Sequence, residues 1–529
     1  MPPSALLALL LSLALPALAQ LGWTHDGGSS HRSSYAAFPT LNLSQPTAHA
    51  VFNYSEPEED TLSQVEEYLL QSPLVTSPAA GSNVLLMLDS CSLVLLPDPA
   101  ALAPGAPWAP MAEWQPATDP NAAPLTIEEC EASGVVLSDL GSAYFLDSRN
   151  KLVHALTLNK NNFQWQWSVK YPGNFSIFDA DASMLVLAGG SQLYVPLRFS
   201  LEGTDGVAWV LDTAAGATIA ITAGPGGECR TPDDFGSCAV EFKTDTGVAQ
   251  LSDSECGALV YNSDLNQNTQ LFQPAPNTMG FMNGVHSHPV YEPNSGNMYY
   301  INFQDSAFEG PQQVCCYNFI QGAPCWSGVN INPTTGCGTP LPVVSTGTAG
   351  KDTITYRWTW LALGLDSDND ELYIVMSGAV DEDPLNRKGV RSALTVVDTR
   401  FGFVLATDEI GVPGDMFCTA PLVLSSASGS SLLIATTGGL LVGYTGGAPG
   451  VADGPAWASP DLPTVPLKDF PASTHSFLST TPAGTVLLTT TAGGSGWKHE
   501  KAFVAVANGA FAPQGAPSTT IAVPSAPPI

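Results

Sequence analysis

The residues of this 529-residue sequence best suited to chemistry are a pair of histidines, a group of cysteines and two acidic stretches. His286 and His288 are separated by one residue, so on an extended strand both imidazoles project to the same side. Neutral imidazoles so placed can bind a metal or a polar ligand, and His475 opens a similar segment further along. Two histidines do not complete a metal shell, so hydrogen bonding to backbone and water is the expected role. Asp366 to Glu371 (DSDNDE) begins like a calcium loop. It has Glu371 where that loop needs glycine, which makes a polar hairpin turn the expectation. The stretch Val380 to Pro384 (VDEDP) would complete a weak surface calcium site only if the two loops faced each other. Trp165/Trp167 and Trp358/Trp360 recur at period two, which places each pair on one strand face and suits packing between layers. The sequence contains no G-x-S-x-G, H-E-x-x-H, Walker loop or G-x-G-x-x-G, although such patterns do not reveal a triad assembled from distant positions.

The ten cysteines suit an oxidising compartment, where disulfides persist. Cys229 and Cys238 are close enough to clip one loop, and Cys315, Cys316, Cys325 and Cys337 form a second group. Structural disulfides are expected for most of them, with the pairing left open by sequence. The first residues agree with that compartment. An apolar stretch from Ala5 to Leu18 ends in Ala17-Leu18-Ala19, the form of a signal peptide spanning residues 1–19. The chain is therefore expected in the extracellular space or the lumen of the secretory pathway. Sequons at Asn42, Asn53 and Asn174 are candidate glycosylation sites. No apolar run is long enough for a membrane span. With 17 basic against 48 acidic residues, the net charge of −31 repels phosphate backbones and argues against nucleic-acid binding. Charged residues make up only 12% and hydrophobic residues 44%, so there is ample material for a core.

The elements that must position these residues are strands. Short apolar runs separated by Gly, Asp, Asn, Ser and Pro recur through the chain, among them Val84–Leu88, Met298–Phe303, Glu371–Met376 and Thr485–Thr489. The segment Glu56–Gln71 is the one clear helix candidate. Residues 20–509 read as a single domain, and residues 510–529 as a disordered Pro/Ala-rich tail. Two internal patterns repeat. One is a strand, an Asp, a short turn with Gly and a second strand: WVLDTAAGATIAI from Trp209 and LTVVDTRFGFVLA from Leu394. There Asp212 and Asp398 can accept backbone hydrogen bonds, while Gly216 and Gly402 can take positive φ. The other runs from a polar residue through Pro or apolar residues, a turn and a strand. It appears in SPLVTSPAAGSNVLLML from Ser72, HSHPVYEPNSGNMYYI from His286, TAPLVLSSASGSSLLIATTGGLLVGY from Thr419 and THSFLSTTPAGTVLLTT from Thr474.

These repeats resemble those of the pyrroloquinoline-quinone-type propeller family, and GWTHDGGSSHRSSY from Gly22 is similar to the opening segment of such proteins. The resemblance implies an all-β fold: a β-propeller of four-stranded blades, about seven in number (six to eight), with disulfide-clipped loop insertions. In such a fold the blade-opening strands lie innermost, so His286, His288 and His475 would face the central channel. The resemblance also raises a quinone-dependent dehydrogenase, with a central cofactor, a calcium ion and often a disulfide between adjacent cysteines. Cys315 and Cys316 are adjacent, but their surroundings (QVCCYNFIQGAPCW) do not match that family's context, and ordinary loop disulfides are expected.

The leading functional expectation is a secreted, non-catalytic platform for an extracellular protein or glycan, with no cofactor. One rival is an oxidoreductase holding pyrroloquinoline quinone, calcium or another metal in the channel. Another is a structural component of an extracellular matrix or cell wall. Fold alone does not decide among them.

Overall fold

The computed structural model describes residues 35–37, 46–55, 73–88, 92–103, 106–115, 119, 132–138, 141–147, 150–159, 162–171, 175–176, 185–186, 191–199, 206–222, 248–253, 257–262, 270–272, 290–292, 295, 297–303, 312–318, 323–328, 331, 336–341, 360–378, 391–410, 417–426, 429–436, 440–459, 477–493, 499–508 and 520–521. The signal-peptide segment, the helix candidate Glu56–Gln71 and the Val380–Pro384 stretch lie outside these residues.

The repeats fall in step with the sheets. The described strands form eight separate sheets, six of them built from neighbours in sequence and the last two also taking in a strand from early in the chain, against about seven units expected. The copy from Ser72 supplies Leu74–Val75 and Val84–Met87, the opening hairpin of the first sheet. The other three copies open the fifth sheet (Val290–Glu292 and Asn297–Phe303), the seventh (Leu422–Ser426 and Gly429–Ala435) and the eighth (Phe477–Thr480 and Val486–Gly493). The Asp–Gly pattern supplies the closing hairpins of the third sheet (Gly206–Asp212 and Thr218–Thr222) and the sixth (Arg391–Asp398 and Phe403–Ile410). In both turns the Asp carboxylate accepts backbone N–H groups, from Ala214 and Ala215 or from Arg400 and Phe401. Gly216 and Gly402 take φ of +66° and +74°.

The ends of the chain meet in one sheet. Pro46–Ser55 pairs antiparallel with His499–Asn508 as the fourth strand of the eighth sheet, and His49 Nε2 donates at 2.7 Å to Pro99 O, in the 3-10 turn Pro99–Ala101 that links two strands of the first sheet. Thr520–Ile521, within the segment expected to be an unstructured tail, pairs parallel with Pro46–Ser55. Tyr35–Ala37 runs parallel beside Leu422–Ser426. Among the described residues no helix is long and apolar enough to cross a membrane.

The continuous apolar runs have a direct cause. In Glu371–Gly378 the residues Leu372 to Met376 are all fully buried, because the sixth sheet is covered on both faces. Leu372, Ile374 and Met376 join the core shared with the fifth sheet, whereas Tyr373 and Val375 join the core shared with the seventh. Where two sheets approach most closely, Gly364 leaves no room for a side chain. A Cβ there would stand 2.6 Å from Pro421 O of the adjoining sheet. Gly364→Ala should cost about 1–3 kcal/mol through overpacking, read as a lowered urea midpoint with the fold retained.

Two junctions between consecutive sheets repeat one arrangement. Trp167, in the last strand of the second sheet (Asn162–Lys170), lies over Gly216 and donates Nε1–H to Thr213 O at 3.0 Å. Trp326, beside the fifth sheet, lies over Gly402 and donates Nε1–H to Thr399 O at 2.7 Å. A tyrosine of the same sheet backs each indole: Tyr144 behind Trp167 at 5.9 Å and Tyr299 behind Trp326 at 6.1 Å between centroids. Packing between sheets is thus the role of Trp167, but it does not share a face with Trp165. A register shift between the two puts Trp165 against the core shared with the first sheet, and Trp167 in the core shared with the third. Trp360 begins a strand, and Trp358 lies outside the described residues.

Candidate functional site

The densest polar chemistry among the described residues sits at one end of the sixth sheet, where its first Asp-led turn meets the seventh sheet and its second meets Trp326 beside the fifth. In the first turn Asp366 is fully buried. Its Oδ1 accepts the Asp368 N–H at 3.2 Å, its Oδ2 accepts Asn369 Nδ2 at 2.8 Å, and the Ser430 hydroxyl also donates to Oδ2. Asp370 takes φ of +57° and its carbonyl accepts the Thr399 N–H, tying this turn to the second. Asp368 accepts the Tyr35 hydroxyl at 2.5 Å. Burial is the main reason the Tyr35 phenol is held well above its ordinary pKa. Glu371, raised by burial, accepts the Tyr373 hydroxyl, which in turn accepts the Gly447 N–H at 2.9 Å. The DSDNDE segment is therefore a polar hairpin turn, with its first carboxylate engaged by the turn's own donors and by the neighbouring sheet.

The second turn presents a different surface. Asp398 binds Arg400 through both carboxylate oxygens, at 3.2 and 2.8 Å, and the guanidinium holds the carboxyl below the usual carboxylate range. Arg400 lies 5.5 Å from the centre of the Phe401 ring, and Phe401 stacks on Phe403 at 6.3 Å. Phe401, Phe403, Val404 and Leu405 are exposed, Phe403 by 66%. They stand at the start of Phe403–Ile410, which pairs with Arg391–Asp398 and with no other strand among the described residues. Further along, the short helix Ala448–Ala452 packs on this strand, and the Tyr444 hydroxyl donates to Asp408 at 2.9 Å. The result is an apolar ledge on a sheet edge, held by a rigid turn and bounded by carboxylates.

The cysteine group is resolved. Cys315 and Cys316 lie in Gln312–Asn318 and do not bond each other. Cys315 pairs with Cys337 and Cys316 with Cys325. Neighbouring residues of a strand point to opposite faces, so each sulfur reaches a partner on its own side. The first bond joins two paired strands of the fifth sheet and is not a loop clip, whereas the second holds the residue beside Trp326. Cys418 is buried, with Sγ 3.5 Å from Ala435 O. His286, His288, His475, Cys229, Cys238, Asn42 and Asn174 lie outside the described residues. Asn53 sits within the strand Pro46–Ser55, opposite Ala502.

Two features escaped the sequence reading. The ledge did, because FVL in a strand reads as a buried run. So did His154, which is fully buried between sheets, stacked on Phe145 at 4.7 Å, with Nδ1 2.7 Å from Ser168 Oγ and no hydrogen-bond partner for Nε2 among the described residues. Among the described residues no three His, Cys, Asp or Glu side chains are grouped to hold a metal ion. The adjacent cysteines, committed to two separate cross-links, do not fit the disulfide that quinone enzymes present to their cofactor.

No family model and no curated protein matches the sequence. Solved structures similar to the chain include a europium-containing methanol dehydrogenase (11% identity, 91% of this chain and 98% of that one, TM-score 0.49). Another is the quinohemoprotein alcohol dehydrogenase from Comamonas testosteroni (11% identity, 91% and 80%, TM-score 0.47). A third is the selenomethionine-substituted virginiamycin B lyase from Staphylococcus aureus (12% identity, 70% and 94%, TM-score 0.35). These likenesses carry over no site residue. Eight sheets, mostly antiparallel and following one another along the chain, with Pro46–Ser55 added to the last of them, give this chain the architecture of a β-propeller.

Proposed function

We propose that the chain is a secreted, non-catalytic binding platform for an extracellular partner. The observation that carries this reading is the ledge of Phe401, Phe403, Val404 and Leu405, exposed together on a sheet edge. A contiguous apolar patch on a soluble surface marks an interaction site more often than chance exposure does. The Asp398 turn and the packed helix Ala448–Ala452 hold its backbone, so little order is lost on binding. The separate cross-linking of Cys315 and Cys316 supports the non-catalytic half of the reading, since that pair was the one residue-level match to the quinone enzymes.

The test is made on the secreted protein purified without added cofactor. Its absorption spectrum and metal content are recorded, then repeated after adding pyrroloquinoline quinone and calcium. A colourless, metal-free protein that takes up neither is the expected result. A stoichiometric metal, or a chromophore lost on replacing His286 and His288, would overturn the reading in favour of an oxidoreductase.

A further inference from the structure

We infer that the turn from Arg400 to Phe403 binds a neutral glycan of β-linked, gluco-configured sugars, whose hydroxyl-free ring faces lie on Phe401 and Phe403. The inference rests on the platform reading and gives it a place and a ligand class. The molecule carries its own control for this turn. The closing hairpins of the third and sixth sheets are built alike. In each, the Asp Oδ1 accepts the backbone N–H groups two and three residues on, and the Gly N–H donates to the Asp carbonyl at 2.8 Å. In each, a tryptophan covers the Gly and bonds the carbonyl of the Thr after the Asp. The register shifts at the same place in both, leaving Ile219 and Leu405 as the extra residues, so the exposure of Leu405 comes with the bulge. The same three turn positions are exposed in both hairpins. In the third sheet they hold Ala214, Ala215 and Ala217, and in the sixth Arg400, Phe401 and Phe403. The fold therefore requires no large side chain there, and two neighbouring phenylalanines left 59% and 66% exposed add little to the core.

The side chains select the ligand. Phe401 and Phe403 form an offset stack, with 24° between the ring planes. Neither ring has a polar tip, so a sugar lying on them must present a face of C–H groups only. A pyranose does so when all its ring substituents are equatorial, as in the β-gluco configuration. A donor and an acceptor stand beside the stack. Arg400, over the Phe401 ring, bonds Asp398 through Nε and Nη2, which leaves Nη1 without a bond among the described residues. The Asp370 carboxylate is half exposed and 3.7 Å from Arg400 Nε. A guanidinium N–H and a carboxylate oxygen side by side can donate to and accept from the equatorial hydroxyls at a sugar's rim. Charge removes the other occupants. Asp398 neutralises Arg400 and the whole chain carries −31, so acidic glycans and a second copy are repelled. The chain's own Arg400 already holds the cation position against Phe401, so a lysine or arginine of a partner would meet a like charge there.

The probe is cellohexaose, titrated into the full secreted chain by calorimetry, with saturation-transfer NMR on the same mixture. The control sugar is β-1,4-mannohexaose, in which an axial hydroxyl interrupts the C–H face of each ring. Saturable binding of cellohexaose is expected, with transfer to its ring C–H groups and little dependence on salt. Binding should be at least about tenfold weaker for mannohexaose and for the double variant Phe401→Ala, Phe403→Ala. Alanine fills both positions in the third sheet, so the variant should keep its circular dichroism spectrum. If it does not, Phe403→Ala alone replaces it. Absence of saturable binding overturns the inference. So does equal binding of mannohexaose, which would mean contact through hydroxyls rather than ring faces, and so does binding unchanged in a folded variant. A chain dimer that the variant abolishes would assign the turn to a second copy, and binding of the cationic peptide KVKFKVK lost in the variant would assign it to a protein. Both results overturn the inference. Failure here with a colourless, metal-free protein removes the glycan and leaves the platform reading standing, whereas a bound chromophore strikes the platform reading itself.

Discussion

Trp326→Ala should lower the unfolding free energy by about 4 kcal/mol, seen as a clear fall in the urea midpoint with the disulfides intact. Trp326 is 3% exposed and fills the junction between the fifth and sixth sheets. Truncation leaves a cavity and strips the Thr399 carbonyl of its indole donor. Trp326→Phe, which keeps ring area but not the N–H, should cost less than half as much. Gly402 supplies the sharper check. A Cβ at Gly402 would stand 2.6 Å from the Trp326 ring, and the backbone has φ of +74°. Gly402→Ala therefore carries two costs: the contact, and about 1–2 kcal/mol for a side chain in the left-handed region. With Trp326 already replaced by alanine only the second remains, so the double variant should be at least about 1 kcal/mol more stable than the sum of the single changes. Gly402→Ala with Trp167→Ala, at the other junction, should be additive. Additivity between Gly402 and Trp326 would show that the ring does not rest on that turn.

This junction shows why the fold was legible. The Asp–x–x–x–Gly turns repeat because only that chemistry supplies both a backbone-capping carboxylate and a residue at positive φ, and the four opening hairpins repeat because each must start a sheet. Such local demands survive in sequence. What failed to show depends on neighbours. The separation of Trp165 from Trp167 follows from one register shift, which no period-two count registers. The partners of Cys315 and Cys316 depend on where Cys337 and Cys325 lie across the sheet, although alternation along a strand already disfavoured a bond between the two. The exposure of Phe403 to Leu405 depends on there being no covering layer among the described residues, and an apolar run looks the same whether covered or bare. The paired histidines His286 and His288 were the most visible chemical signal in the sequence. A buried histidine whose surroundings can be read is His154, which stood in a run, LVHALTL, with nothing to mark it.

His154 leads to a pH dependence that its replacement should remove. Burial alone lowers the pKa of its imidazole, from an ordinary 6.5 to about 4, with no charged neighbour contributing. Phe145 stacks on the ring at 4.7 Å and Trp114 meets it edge-on at 6.1 Å. Ser168 Oγ, which already accepts Trp165 Nε1–H at 2.9 Å, stands at Nδ1. Between pH 6.5 and 4 the unfolded chain binds a proton that the folded chain refuses, so stability is full above 6.5 and declines as pH falls toward 4. The decline attributable to this one group is about 3 kcal/mol, and it stops once both states are protonated. Asp398, held low by Arg400, also loses stability in acid, but below its ordinary value near 3.8; Glu371 and Asp98, raised by burial, pull the other way within the window, equally in the parent and in a His154 variant, so the difference between the two proteins belongs to His154. His154→Phe suits the aromatic surroundings and deletes the titration. Between pH 6.5 and 4.5 its urea midpoint should fall clearly less than that of the parent protein. Parallel declines in the two proteins would mean that the imidazole takes up its proton without leaving the folded state, and that water reaches the space between the first and second sheets.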